Sequence, residues 1–305
     1  MPPDHLPPLY VCLPGTGSRW FCGGLLAALR LLDVAREAGT GQLVTYTDRQ
    51  ADDPFLPDLL DAKPPGDAIF LVTWGYHVPD LLQRLAGRRV AYYAHSTGYG
   101  FDVPSAVAIL AGSRPALAYW GERAPRSPLY HLPPVLADEF DDRGVERDID
   151  VLAFARKVSP YLRDELIPAL ASRCRVSVLD GYVEDVAGLF NRARVYLYDS
   201  QPYWREAGLS EGIGLQPLEA LACGCRVFSS LNGGMAEYLD PAVNCSQIGV
   251  HSLEYDIARI LEAVRSTAPR PPAPDVLRTY RRPAVRRQLA VLLRDLHRFF
   301  DFHGV

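Results

Sequence analysis

The sequence predicts an α/β chain of two successive domains, each a doubly wound, mostly parallel sheet covered by helices. Three observations carry that expectation. Short apolar runs of strand length alternate with segments whose apolar residues recur at helical spacing, an order that builds parallel sheets rather than hairpins. The alternation is interrupted by the acidic stretch 138–150 (DEFDDRGVERDID) and then restarts. A length of 305 residues with 48% hydrophobic content is enough for two cores, at roughly 150 residues per domain.

Taken in order, 9–13 (LYVCL) reads as a buried strand, 15–24 as a glycine-containing loop, and 25–38 as a helix with apolar residues on one face. Strands follow at 43–46, 68–73 and 90–93, with an apolar stretch at 55–60 and a helix near 79–85 between them. The theme recurs less cleanly through 106–136, as an apolar run, a helical RPALAYWGERA and the strand LYHL before Pro133 and Pro134. Beyond the acidic stretch come strands at 150–155, 176–179, 195–198, 226–229 and 245–248. Helices at 160–170, 183–193, 217–223, 235–239 and 253–265 alternate with them. Prolines in 267–275 (TAPRPPAPD) cannot sustain a helix, and an amphipathic helix over 283–300 closes the pattern. The expected organisation is an amino-terminal domain over 1–145, a second domain over 146–275 and a carboxyl-terminal crossover helix over 276–305. Two such sheets set edge to edge place ligands at their strand carboxyl ends, so an interdomain cleft is expected.

Bulk composition excludes several classes. A net charge of −4 with 22% charged residues does not fit a nucleic-acid partner. No apolar run approaches the ~18 residues of a membrane span, and MPPDHLPP lacks the basic-then-apolar pattern of a leader, so a cytoplasmic location is expected. The six cysteines lie in apolar segments, and Cys223 and Cys225 are too closely spaced for a usual zinc pair, so neither a disulfide framework nor a metal is expected. Among the 32 basic residues only Lys63 and Lys157 are lysine, which makes a lysine more informative here than an arginine.

The chemistry concentrates in 211–224, EGIGLQPLEALACG. Gly212 and Gly214 loosen the backbone before a helix whose first position suits Pro217, since proline lacks the N–H that has no partner there. Free amides at that start, with the helix dipole, favour phosphate or sugar oxygens. Glu211 and Glu219, with seven residues between, are acceptor-only groups able to hold sugar or ribose hydroxyls. Helix capping by Glu219 and a solvated Glu211 remain the plain alternative.

The same residues resemble the signature of the family-4 retaining glycosyltransferases of GT-B fold, the glycosyl transferases group 1. The likeness extends to CRVFSSLNGGMAEYL with Gly233, Gly234 and Glu237, to GGLLAALRLLDVAREAG from Gly23 onward, to His95 in YYAHSTG, to Arg156 and Lys157 in DVLAFARK, and to DGYV at 180–183. The resemblance implies a GT-B enzyme that moves a sugar from a UDP- or GDP-sugar to a glycan, lipid-linked or small-molecule acceptor. Retention of anomeric configuration and independence of metal and cofactor are implied with it. It implies that Glu219 holds the ribose, and that Glu211 and the amides of Gly212, Ile213, Gly214 and Leu215 hold the donor sugar. Arg156 and Lys157 would neutralise the diphosphate. Gly23 and Gly24 would let the first helix approach a substrate, His95 would sit beside the reacting centre, and Tyr182 beside the base. Charge developing on a departing diphosphate requires fixed cations and helix amides of this kind.

This sequence departs from the family pattern in places. Lys157 directly follows Arg156, and QPYWREAGLS at 201–210 is longer than the usual connection. Tyr203, Trp204 and Arg205 in it are expected to form a lid or acceptor platform. Competing readings are a GT-B-like binding or scaffold protein without turnover, and a nicotinamide enzyme using GTGSRW and Asp48. A metal-dependent transferase would use Asp148 and Asp150. The arginine-rich face of 280–300 leaves peripheral contact with an anionic membrane open, against packing of that helix on the domains.

Overall fold

The computed structural model describes residues 6–73, 75–181, 183–266 and 275–305. Tyr182, and all of the proline-rich segment except Asp275, lie outside them. The chain divides into two compact units, Met1–Val135 with Thr279–Val305, and Leu136–Arg278.

The first unit is built on a six-stranded parallel sheet. Its strands are β1 (Leu9–Leu13), β2 (Gly41–Thr45), β3 (Ile69–Val72), β4 (Arg89–Ala94), β5 (Ala108–Ala111) and β6 (Leu129–His131), in the order β2-β1-β3-β4-β5-β6. Every residue of β1 is buried because both faces of the sheet are covered. By the two-residue period of a strand, Leu9, Val11 and Leu13 enter one core, while Tyr10 and Cys12 enter the other. The first core takes the apolar face of α1 (Gly23–Glu37) through Leu25, Ala28, Leu31, Leu32 and Ala35. The second core takes residues of α2 (Leu56–Asp61), α3 (Val78–Arg84) and α4 (Arg114–Arg123), among them Leu56, Leu81 and Trp120.

The second unit carries a five-stranded parallel sheet of β7 (Ile149–Phe154), β8 (Val176–Leu179), β9 (Ala193–Tyr198), β10 (Arg226–Ser229) and β11 (Cys245–Gln247). Its order is β11-β10-β9-β7-β8. A wide turn over Tyr161–Leu166, closed by Ile167 N–H donating to the Leu162 carbonyl, leads into α5 (Ile167–Ala171), whose Pro168 has no N–H to offer. Then come α6 (Val186–Arg192), capped by the Asp185 carboxylate on Gly188 N, α7 (Gln201–Glu206), α8 (Leu215–Ala222) and α9 (Leu253–Arg265), capped by Ser252 on Tyr255 N. The acidic stretch lies in this unit with its carboxylates mostly exposed, and Phe140 and Arg147 anchor it. The Arg147 guanidinium donates to the carbonyls of Phe190 and Cys223 at 2.9 and 2.6 Å, closing off the ends of α6 and α8.

The last helix, α10 (Arg282–His303), belongs to the first unit. Val285, Leu289, Leu292, Leu293, Leu296 and Phe300 recur at helical spacing and join the core that α1 covers. Its end is fixed by buried Arg89 at the start of β4, which donates to Asp301 Oδ1 (2.6 Å), the Val305 carbonyl (2.8 Å) and, with a 2.9 Å contact, faces His297 Nδ1. No helix among the described residues is long and apolar enough to cross a membrane.

In each unit the strand order reverses once, between β1 and β3 and between β7 and β9. Loops leaving the carboxyl ends of strands on either side of such a reversal diverge and leave a crevice, the usual ligand position of an open parallel sheet.

Candidate functional site

In the second unit the reversal is flanked by the segment after β7, which holds Arg156 and Lys157, and the segment after β9, which runs through α7 to Glu211. The two segments are tied together, Ser159 N–H donating to the Asp199 carbonyl at 3.0 Å. Glu211 is held by three side chains. Its Oε2 accepts from the Tyr198 hydroxyl (2.6 Å), the Ser200 hydroxyl (3.0 Å) and the Trp204 indole N–H (2.6 Å). Three donors converge on this one carboxylate oxygen, while Oε1 has no partner among the described residues. Burial, then the Glu211 carboxylate, raises the Tyr198 phenol well above its ordinary pKa, so it remains a hydroxyl donor.

Two glycines set the backbone around this acid. Gly233 (φ +57°) lies so close under the loop that a Cβ there would meet the Glu211 carbonyl oxygen at 2.0 Å; the next amide, Gly234 N–H, donates to that carbonyl at 2.9 Å. Gly214 (φ +69°) precedes α8 in the left-handed conformation, and a Cβ on it would meet Met235 Cγ at 2.6 Å. The helix therefore starts at Leu215, and Pro217 occupies its third position rather than its first. With no side-chain cap on Gly214, the Leu215 and Gln216 amides open the helix without an acceptor among the described residues.

Glu219 is the fifth residue of α8, too deep to cap its start, and is only 5% exposed. It lies near Tyr196, whose phenol is raised by burial first and by the Glu219 charge second. Lys157 has left-handed backbone (φ +59°), and its ammonium lies 4.2 Å from the centre of the Trp204 ring and 5.7 Å from that of Tyr203. Arg156 and Arg205 are exposed and form no ion pair among the described residues. The structure thus joins Glu211, Lys157, Tyr203 and Trp204 in one cluster beside the α8 start, and leaves Arg156 and Arg205 out of it. Residues 201–206, which carry no clear helical period, form the helix α7.

In the first unit, Gly23 begins α1, and Gly24 lies against His95 just beyond β4: a Cβ on Gly24 would stand 3.6 Å from His95 Cδ2. The His95 ring lies 4.3 Å from that of Tyr93, and its Nε2 is buried without a hydrogen-bond partner among the described residues. Burial lowers its pKa to about 4, so it is neutral at pH 7.

Asp48, the ribose ligand required by a nicotinamide enzyme, has its carboxylate engaged by the Trp20 indole N–H (2.7 Å) and by Arg19. Asp148 pairs with Arg192 through bonds of 2.8 and 2.6 Å, and Asp150 accepts from the Arg175 amide at 3.0 Å. Both aspartates are thus employed in holding strand ends. Among the described residues no three His, Cys, Asp or Glu form a metal-binding group.

Tyr198 and Ser200 escaped the sequence reading because one lies in an apolar strand and the other in a connection. The available signal was a hydroxyl-bearing pair at the carboxyl end of a strand beside the reversal.

A family model described as glycosyl transferases group 1 matches residues 161–282. No curated protein matches the sequence. Solved structures similar to the chain include Alr3699/HepE of Anabaena in complex with UDP, at 14% identity and a TM-score of 0.60 over 95% of this chain and 100% of that one. Sucrose-phosphate synthase (tll1590) from Thermosynechococcus elongatus is similar at 14% identity and a TM-score of 0.60, over 95% and 99%. A glycosyltransferase from Rickettsia africae is similar at 10% identity and a TM-score of 0.57, over 97% and 98%. At these identities the likeness carries the fold. The two parallel-sheet units have the GT-B architecture, and the glycosyl transferases group 1 match lies almost wholly within the second and spans less than half of the chain.

Proposed function

We propose that the chain is a glycosyltransferase that moves a sugar from a nucleoside-diphosphate sugar to an acceptor, with retention of configuration and without a metal. The observation that carries the reading is the cluster at the β7/β9 reversal, an ammonium with no ion pair among the described residues and a half-satisfied carboxylate beside an uncapped helix start. Cleavage of the anomeric C–O bond leaves negative charge on the diphosphate. Lys157, the neighbouring Arg156 and the Leu215 and Gln216 amides supply the countercharge. Oε1 of Glu211 accepts from hydroxyls of the donor sugar, and Glu219 from those of the ribose. The amides of Gly212, Ile213, Gly214 and Leu215 line the sugar's approach.

On the first unit, Gly23 and Gly24 allow close approach of a substrate, with the neutral His95 ring packed beside Gly24. Uridine is the favoured base, since Alr3699/HepE was solved with UDP. Tyr182 remains the candidate to stack on that base.

A thermal-shift screen tests the reading, because a ligand selective for the folded state raises its stability by RT ln(1 + [L]/Kd), about 2.7 kcal/mol at a hundredfold excess over Kd. UDP is expected to stabilise the chain more than GDP or NAD, and release of UDP from UDP-sugars should persist in EDTA. Stabilisation by NAD alone would refute the reading. EDTA-sensitive turnover would refute the metal-free part, and UDP binding without turnover under any acceptor would leave a binding protein.

A further inference from the structure

Trp204 touches both charged groups of the proposed donor site. Its indole N–H donates to Glu211 Oε2 at 2.6 Å, and its ring lies 4.2 Å from the Lys157 ammonium. A lysine and a glutamate within reach of one side chain would ordinarily pair, and each charge would then be consumed by the other. Here they do not pair, and Lys157 forms no ion pair with any carboxylate among the described residues. The lysine also holds a left-handed backbone (φ +59°), a conformation that costs a residue with a Cβ free energy and persists only where its surroundings impose it. The contact that goes with it is the aromatic pair of α7, Trp204 and Tyr203.

We infer that Trp204 is a positioning residue that keeps Lys157 and Glu211 apart, so that an arriving nucleoside diphosphate takes Lys157 from the indole ring while Glu211 keeps its indole bond. The inference rests on the donor-site reading above. A cation on an aromatic face is held weakly compared with its attraction to a diphosphate, so the transfer breaks no ion pair. Fixing Oε2 has the complementary effect of leaving Oε1 as the acceptor directed to the sugar.

The scarcity of lysine makes the contact directly observable. Reductive methylation with a 13C label marks Lys63, Lys157 and the amino terminus alone. Without ligand, the Lys157 methyl resonance is expected to be displaced upfield by the indole ring and to return toward the Lys63 position when UDP is added. Trp204→Ala should abolish the displacement and weaken UDP binding by about fivefold, because Lys157 is then free to pair with Glu211 and the diphosphate must break that pair. Trp204→Phe keeps a ring face and loses the N–H. It should bind UDP within about threefold of wild type and lose about tenfold or more in kcat, as for a lost hydrogen bond to a charged group. An undisplaced Lys157 signal in a chain that binds UDP overturns the inference alone, as does a Trp204→Phe variant with wild-type kcat. A displaced signal that ignores UDP, GDP and their sugars overturns the donor-site reading and the transfer of Lys157 together.

Discussion

Position 95 shows how burial fixes a protonation state. The ring is enclosed against Tyr93 with Nε2 unpartnered among the described residues, and its pKa falls to about 4 from 6.5. An unfolded chain therefore binds a proton at position 95 that the folded chain refuses between pH ~6.5 and ~4. Stability at this site is complete above the unfolded value and is lost as pH falls through that window, by about 3 kcal/mol at most at 1.36 kcal/mol per unit. His95→Phe retains an aromatic ring and removes the titration. The wild-type unfolding free energy, measured in urea at pH 7 and pH 4, is expected to fall more than the variant's by roughly that amount, and parallel curves would disprove the assignment. Gly233 poses a steric question at the same scale. Gly233→Ala would put a methyl 2.0 Å from the Glu211 carbonyl on a left-handed backbone, so the loop carrying Glu211 must move. The expected result is a loss of about 1–3 kcal/mol of stability from backbone strain together with a fall in turnover of about a hundredfold, as when an active-site group is displaced by about an ångström. A variant that is destabilised but turns over normally would show that the position of Glu211 is immaterial.

At the scale of elements, α10 tests how far one amphipathic face is structural. Leu293 is fully buried among residues of the first core, and Leu293→Ala is expected to cost about 2–5 kcal/mol, the range for a truncated core leucine. Arg89→Ala removes three bonds from the helix end and should lower the thermal midpoint as well, whereas Arg287→Ala, on the exposed side, should leave it unchanged. Equal effects of Leu293→Ala and Arg287→Ala in a melting experiment would deny the helix its place in the core. The strands were legible in the sequence because parallel strands buried on both faces appear as unbroken apolar runs, as LYVCL and VYLY do. Long helices with one apolar stripe, such as α1, were legible through the helical recurrence of that stripe. Helix α7 was not, because QPYWRE lacks an apolar stripe, and its contacts are an indole bonded to Glu211 and a ring facing Lys157. Lys157 was visible as a scarce lysine at a strand end, whereas Glu211 and Glu219 stood out through the resemblance of 211–224 to a family signature. The donors around Glu211 were hidden because Tyr198 looks like core until the turn after β9 directs its hydroxyl to the acid.

For the whole molecule, the two units differ in continuity. The first needs α10, supplied after the second unit has been traversed, while the second is a single stretch, Leu136–Arg278. Arg156, Lys157, Glu211, Glu219 and the α8 amides all lie in that stretch, so the proposed nucleotide contacts belong to one continuous unit. A fragment of residues 136–278 is therefore expected to fold, with the far-ultraviolet signature of an α/β domain, and to bind UDP within about tenfold of the full chain's affinity, a difference of about 1.4 kcal/mol. It should have no transfer activity, because Gly23, Gly24 and His95 are absent from it. Calorimetry on the folded fragment decides the matter. Failure to bind UDP when the full chain does would mean that the first unit supplies much of the nucleotide affinity, and the assignment of that affinity to Lys157, Glu219 and the α8 start would be wrong. A fragment truncated instead at residue 278, which keeps residues 1–135 of the first unit but lacks α10, is expected to expose the core at Leu31, Leu71 and Leu110 and to melt well below the full chain. Its second unit should still bind UDP if the donor contacts are local, which separates loss of the first core from loss of the site.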